Sequence, residues 1–288
     1  MHDIVNQYLQ HSWINSKSFA ECLTHSILLD ASFRSVTSYY ISHQCMGDTH
    51  DIFNTNMLDP AKRADLERSG WSQSGKPSPI LYRANNSGWR SDHFTADPSI
   101  VFFGCSFTYG VGMHEDDIWP TRVSNHFNMK CCNLGTPAQN LSASSLYTSL
   151  WMENEIPNAK AFVIKLQAPN RITFYMPDEP RNKEGTMYLW NLTHSIADLQ
   201  PNQVEKNFLK RLITSVKPTS QLMDLKDLIL ITSYAEKHNI PVIFADSTQD
   251  KYFNKPGEHV ARDWGHPGIE WQDAMTNSTI KQLEHILR

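Results

Sequence analysis

The chain has 288 residues, 40% of them hydrophobic and 19% charged, with a formal net charge of −4 and a pI near 6.3. This is enough apolar material for one large core, or for a domain with an appendage. The slightly acidic balance argues against a dedicated nucleic-acid binder, which carries a basic face or stripe, and no apolar run approaches the roughly 20 residues that cross a bilayer.

The five cysteines, Cys22, Cys45, Cys105, Cys131 and Cys132, are odd in number and lack a framework spacing. That pattern predicts free thiols in a reducing compartment. The N-terminus, MHDIVNQYLQHSWINSKSF, has no basic stretch leading into an apolar one, so no signal peptide is read and the expected location is cytoplasmic. Many of the thirteen histidines, among them His11, His25, His43 and His50, fall in the N-terminal third without recurring ligand spacing, and no metal or cofactor is expected.

Two parts read differently. Residues 1–95 form a flank or cap, opening with two amphipathic stretches near 3–12 and 16–30 and then turning polar and irregular through DPAKRADLERSGWSQSGKPSP. A short strand is predicted near 80–83 (ILYR), followed by the turn-rich NNSGWRSD. From residue 96 onward strands and helices alternate. SIVFFGC at 99–105 is continuously apolar, as in a strand buried on both faces. Asp116 or Asp117 is placed to cap a helix running toward Asn128, with Pro120 in its first turn. KCCNL at 130–134 is a second strand, 141–154 a helix, and AFVIKL at 161–166 a third strand. The stretch 171–202 has the mixed character of an insertion. A long helix over 220–237, a strand PVIFAD at 241–246 and a last helix near 268–287 complete the pattern. Such alternation implies a parallel sheet sandwiched between helices.

Ligands of open parallel sheets bind beyond the carboxyl ends of the strands, so the loop after each strand is where chemistry is sought. The first buried strand runs into GCSFTYG at 104–110. Ser106 in that turn can project its hydroxyl from the sheet rim, and the flanking glycines permit a tight backbone path. The second glycine comes four residues after the serine, unlike the G-x-S-x-G turn of α/β-hydrolases. Far downstream, DWGH at 263–266 sets Asp263 three residues before His266 on a loop ahead of the final helix. One short segment then supplies both a base for the Ser106 proton and the carboxylate that orients it. Cys105 should turn away from the side Ser106 faces, and Cys131 with Cys132 should be core strand.

The pairing of GCSFTYG with DWGH resembles the SGNH hydrolases, also called GDSL-like lipases and esterases, over roughly residues 96–288. Cys105 replaces the usual Asp of the first block, and DWGH matches the last block in full. The resemblance implies a three-layer α/β/α sandwich of flavodoxin-like type and a catalytic set of Ser106, Asp263 and His266. It also implies an oxyanion hole of Ser106, Ala138 in NLGTPAQN, and Asn170 in APN. Gly135 is the nearby alternative to Ala138. Arg171 follows Asn170 where the family often has an acid, as a contact for an anionic substrate group or as a solvated arginine. His114 is a further substrate-binding candidate. The segment 85–90 (NNSGWR) resembles the lead-in of some members, so Trp89 or Arg90 either borders the pocket or packs. The implied activity is hydrolysis of a small O-acyl ester, such as an O-acetylated carbohydrate, without nucleic-acid or membrane partners. Two alternatives stay open: an O-acyltransferase on the same fold, and an inactive carbohydrate-binding or assembly domain.

Overall fold

A computed structural model describes residues 40–42, 48, 50–71, 80–85, 87–137, 140–166, 172–177, 187–192, 203, 207, 211, 217–245 and 259–287. The amphipathic stretches expected near 3–12 and 16–30 lie outside them. In chain order the elements are β1 (Tyr40–Ser42), α1 (His50–Leu58), α2 (Pro60–Arg68), β2 (Tyr82–Ala84), β3 (Ser99–Gly104), α3 (Ser106–Tyr109) and a 3₁₀ turn (Glu115–Asp117). There follow α4 (Trp119–His126), β4 (Lys130–Gly135), α5 (Ser142–Leu150), α6 (Met152–Glu155) and β5 (Ala159–Ile164). The last group is β6 (Ile172–Pro177), β7 (Met187–Leu192), α7 (Lys217–Lys237), β8 (Val242–Phe244) and α8 (Ile269–Leu283).

The central sheet has four strands in the order β4-β3-β5-β8, every pair parallel. Because side chains alternate across a strand, β3 feeds two cores. Ile100 and Phe102 point with Ala161 and Val163 toward Trp119 and Val123 of α4 and Trp271, Met275 and Leu283 of α8. Val101 and Phe103 point the other way with Phe162 and Ile164, toward Tyr147 of α5, Met152 of α6 and Ile231 and Ala235 of α7. This is the expected three-layer α/β/α sandwich. All six residues of β3 are buried, and each large apolar side chain so removed from water contributes about 1.5–3 kcal/mol.

Several local expectations are corrected. The polar segment before residue 70 is not irregular: it holds α1 and α2. Asp59 caps α2 by accepting the Ala61 and Lys62 N–H groups at 2.9 and 3.3 Å, Pro60 stands in the first turn, and Gly70, at φ +87°, follows its end. The helix expected over 141–154 is two, broken at Trp151, whose backbone leaves helical values at φ −127°. Asp116 and Asp117 sit inside the 3₁₀ turn, and Ile118 caps α4. In the stretch 171–202, β6 and β7 pair antiparallel as a separate two-stranded sheet.

The flank and the main domain share a third core. Met57, Leu66, Trp71, Ile80 and Tyr82 from before residue 95 pack with Tyr109, Val111, Met113, Ile118 and Ala261. β2 pairs with β1 in its own two-stranded sheet. Among the described residues no helix is long and apolar enough to span a membrane, and no cluster of His, Cys, Asp and Glu has metal-binding geometry.

Candidate active site

β3 delivers Ser106. The strand ends at Gly104, Cys105 takes an extended conformation (φ −103°, ψ −155°), and Ser106 begins the single turn of α3. Gly104 has to lack a side chain here, because a Cβ would lie 2.1 Å from Thr108 Oγ1. Ser106 is buried, and its carbonyl accepts the N–H groups of Gly110 and Val111 at 2.8 and 3.1 Å. Its own N–H, at the first position of a helical turn, has no partner within the helix. Cys105 is buried, as expected. Burial pushes the Cys132 thiol up to about 12 and raises that of Cys131 too; Cys132 is a core side chain, and Cys131 is half-buried against the core.

Two buried groups fix the turn from behind. Asn133 of β4 donates from Nδ2 to Thr108 O at 2.9 Å and accepts the Gly135 N–H at 2.9 Å. Gly135 meets the backbone of α3 so closely that a Cβ would stand 2.6 Å from Tyr109 N. Gly135 therefore supports the turn, with its N–H engaged by Asn133. Arg90, 1% exposed, donates to the carbonyls of Tyr109 (3.0 Å), Gly110 (2.5 Å) and Met113 (2.8 Å). It also lies over the rings of Tyr82 and Tyr109 at 4.6 and 5.4 Å. Of its two sequence readings, packing is the one these contacts describe.

Asp263 and His266 stand on a closed loop ahead of α8. Ala261 N–H donates to His266 O (3.0 Å) and Gly268 N–H to His259 O (3.1 Å), around a Val260–Pro267 bridge. The loop turns through Trp264 at φ +61°, a left-handed conformation that costs an L-residue roughly 1–2 kcal/mol. Its base is held from the flank, where Trp71 Nε1 donates to Val260 O at 3.0 Å and Ser69 Oγ accepts the Val260 N–H at 2.8 Å.

Within this loop His266 Nδ1 lies 2.5 Å from Asp263 Oδ2. A carboxylate can only accept, so Nδ1 carries the proton and Nε2 is left as the basic nitrogen. Asp263 is buried and the His266 side chain is 19% exposed, which leaves the imidazole reachable from outside. Phe107, the residue after Ser106, meets the His266 ring edge-on with centroids 5.6 Å apart and Trp271 at 5.4 Å. The serine turn and the Asp–His loop are thereby neighbours, and Arg262 N–H donates to Gly112 O at 3.0 Å across the same seam. No hydrogen bond joins Ser106 Oγ to His266; in unliganded sites such bonds are often long and tighten around substrate.

Of the other candidates, Ala138, Asn170 and Arg171 lie outside the described residues. His114 is half-buried and stacks on Trp71 (5.8 Å, 29°) in a cavity of about 260 Å³ that also includes Met113, His259 and Ile269. That cavity is lined by neither Ser106 nor His266. Sequence reasoning missed Asp48, Asn56, Tyr82 and Arg262. Their contacts link residues far apart in the chain, and the one local signal was an arginine beside Asp263.

No protein-family model matches the sequence, and neither does any curated protein. Solved structures similar to the chain include a lipase/acylhydrolase from Enterococcus faecalis, at 16% identity and TM-score 0.31, covering 65% of this chain and 96% of that one. A member of the lipolytic protein G-D-S-L family from Veillonella parvula has 13% identity and TM-score 0.31, covering 64% and 97%. A carbohydrate acetylesterase family member from Sinorhizobium meliloti has 11% identity and TM-score 0.33, covering 66% and 99%. Likeness at these TM-scores says nothing of this chain's chemistry, which has to be argued from its own residues.

Proposed function

We propose that the chain is a serine esterase that cleaves a small O-acyl ester through Ser106, His266 and Asp263. The observation that supports this most is the His266–Asp263 pair. Its Nδ1–H is directed at a buried carboxylate, and the loop bearing it is seated beside the Ser106 turn through Phe107.

In this reading His266 Nε2 takes the Ser106 hydroxyl proton as Oγ attacks the ester carbonyl carbon. The carbonyl oxygen becomes an alkoxide. Ser106 N–H faces it, joined on the family resemblance by Ala138 N–H and the Asn170 amide, and each such donor contributes about 3 kcal/mol in the transition state. Collapse breaks the bond to the alcohol oxygen, which leaves with the proton from His266. Water, deprotonated by the same nitrogen, then attacks the acyl-enzyme and releases the acid and Ser106. Asp263 stays ionised throughout and keeps the imidazole in one tautomer. Carbohydrate O-acetyl esters are the substrate class to assay first.

The test is steady-state and burst kinetics on a short-chain aryl ester with wild type, Ser106→Ala and His266→Ala. The reading predicts turnover that falls at least a thousandfold in both variants, on the order of what loss of a triad member costs. Equal turnover in all three proteins would sink it.

A further inference from the structure

Three consecutive residues of the candidate loop are each gripped by a residue from the N-terminal flank. Arg262 donates from Nε and Nη2 to Asp48 at 2.9 and 2.7 Å. The Asp263 carbonyl accepts from Asn56 Nδ2 at 2.9 Å, and Asn56 Oδ1 in turn accepts from Lys62 Nζ at 3.1 Å. Trp264 donates from Nε1 to Asp65 at 3.2 Å and lies under the Lys62 ammonium at 4.6 Å. A further link reaches the serine side: Tyr82 donates its hydroxyl to Asp48 in a short hydrogen bond and accepts the Gly112 N–H at 2.8 Å. Since Gly112 O accepts the Arg262 N–H, Asp48, Tyr82, Gly112 and Arg262 form a closed ring. The ring spans the seam between the turn that bears Ser106 and the loop that bears Asp263 and His266.

We propose that Asp48 is a positioning residue for the Asp263–His266 pair, brought by the flank to complete the site. This rests on the reading of Ser106, Asp263 and His266 as the reacting set. Through Tyr82 and Arg262 it sets the spacing of the two loops, from a place where Asp48 is fully buried and Arg262 nearly so. The Asp263 carboxylate that orients His266 stands on the backbone this ring holds, so loosening the ring displaces it.

The test uses the full chain in three forms: wild type, Tyr82→Phe and Asp48→Asn. Three readouts are needed: the thermal midpoint, the rate of labelling by a fluorophosphonate probe, and the downfield proton NMR signal of His266 Nδ1–H, assigned by its loss in His266→Ala. Tyr82→Phe keeps the ring that packs under Arg90. It should stay folded, label about tenfold more slowly and shift the NMR signal. Asp48→Asn should label about a hundredfold more slowly, the scale of an ångström's misplacement of a reacting group, and lose the signal.

Folded Tyr82→Phe and Asp48→Asn proteins with wild-type labelling and an unchanged signal would overturn the proposal. Should Asp48→Asn fail to fold, Tyr82→Phe decides. If wild type does not label at all, the esterase reading falls. The NMR signal then judges the positioning role on its own: a shift in Tyr82→Phe supports it and an unchanged signal overturns it.

Discussion

Gly112 and Gly70 form a matched pair in which a methyl group tests how tightly the serine turn seats on the Asp263 loop. Both have left-handed backbones, φ +73° and φ +87°. A Cβ at Gly70 meets nothing within 4 Å, whereas one at Gly112 would stand 2.8 Å from Ala261 Cβ, 2.9 Å from Asp263 Oδ1 and 3.0 Å from Arg262 N. Gly70→Ala therefore carries the left-handed penalty alone, roughly 1–2 kcal/mol. Gly112→Ala adds overpacking of about 1–3 kcal/mol. Urea unfolding of both variants should show that difference as a lower midpoint with unchanged slope. Relief of the clash has to move the Asp263 loop, so kcat/KM on a short-chain ester should drop about a hundredfold in Gly112→Ala and stay within twofold in Gly70→Ala. Equal destabilisation in the two variants, with wild-type activity in Gly112→Ala, would refute this account of the seam.

Other outcomes follow from single contacts. Asp263→Asn turns an acceptor-only carboxylate into an amide that can present N–H to His266, favouring the wrong tautomer; kcat should fall on the order of 10⁴-fold with KM little changed. Asp227 of α7 is fully buried and accepts from Ser142 Oγ at 2.6 Å and Ser145 Oγ at 2.7 Å. Replacing it by Ala strands the Ser142 hydroxyl, while Ser145 Oγ keeps the Ser142 carbonyl as acceptor at 3.0 Å, and should lower unfolding free energy by about 1–3 kcal/mol, read by urea titration. The Cys132 thiol is raised from 9.0 to about 12 by burial, so the folded state holds its proton where the unfolded chain has lost it. Stability from this group is intact below pH 9 and declines between pH 9 and 12, at about 1.4 kcal/mol per pH unit. Cys132→Ala should flatten that decline in denaturation series across the range.

The sandwich was legible because its strands are buried on both faces: SIVFFGC and AFVIKL admit few other readings, and β3 and β5 fall on them with small shifts at the ends. Ser106, Asp263 and His266 stand out as candidates because each sits in a short segment whose glycines and spacing carry local meaning. Helix α2 was readable in principle from Asp59-Pro60, but among its nine residues Leu66 is the buried one, so no apolar period announces it. Gly135 shows the limit of reading loops alone. Its N–H is engaged by Asn133, two residues back, and its place under α3 depends on the β3–β4 register. The clamp on the Asp263 loop has no sequence signal of its own, since Asp48 and Arg262 are 214 positions apart and meet through the shared core of flank and sandwich.

Labelling of the purified protein with a fluorophosphonate, followed by intact mass, tests the central claim most directly. One adduct per chain, located on Ser106 and absent from Ser106→Ala and His266→Ala, is the predicted result. A well-folded wild type that takes up no probe, or takes it up equally in both variants, would contradict an activated Ser106.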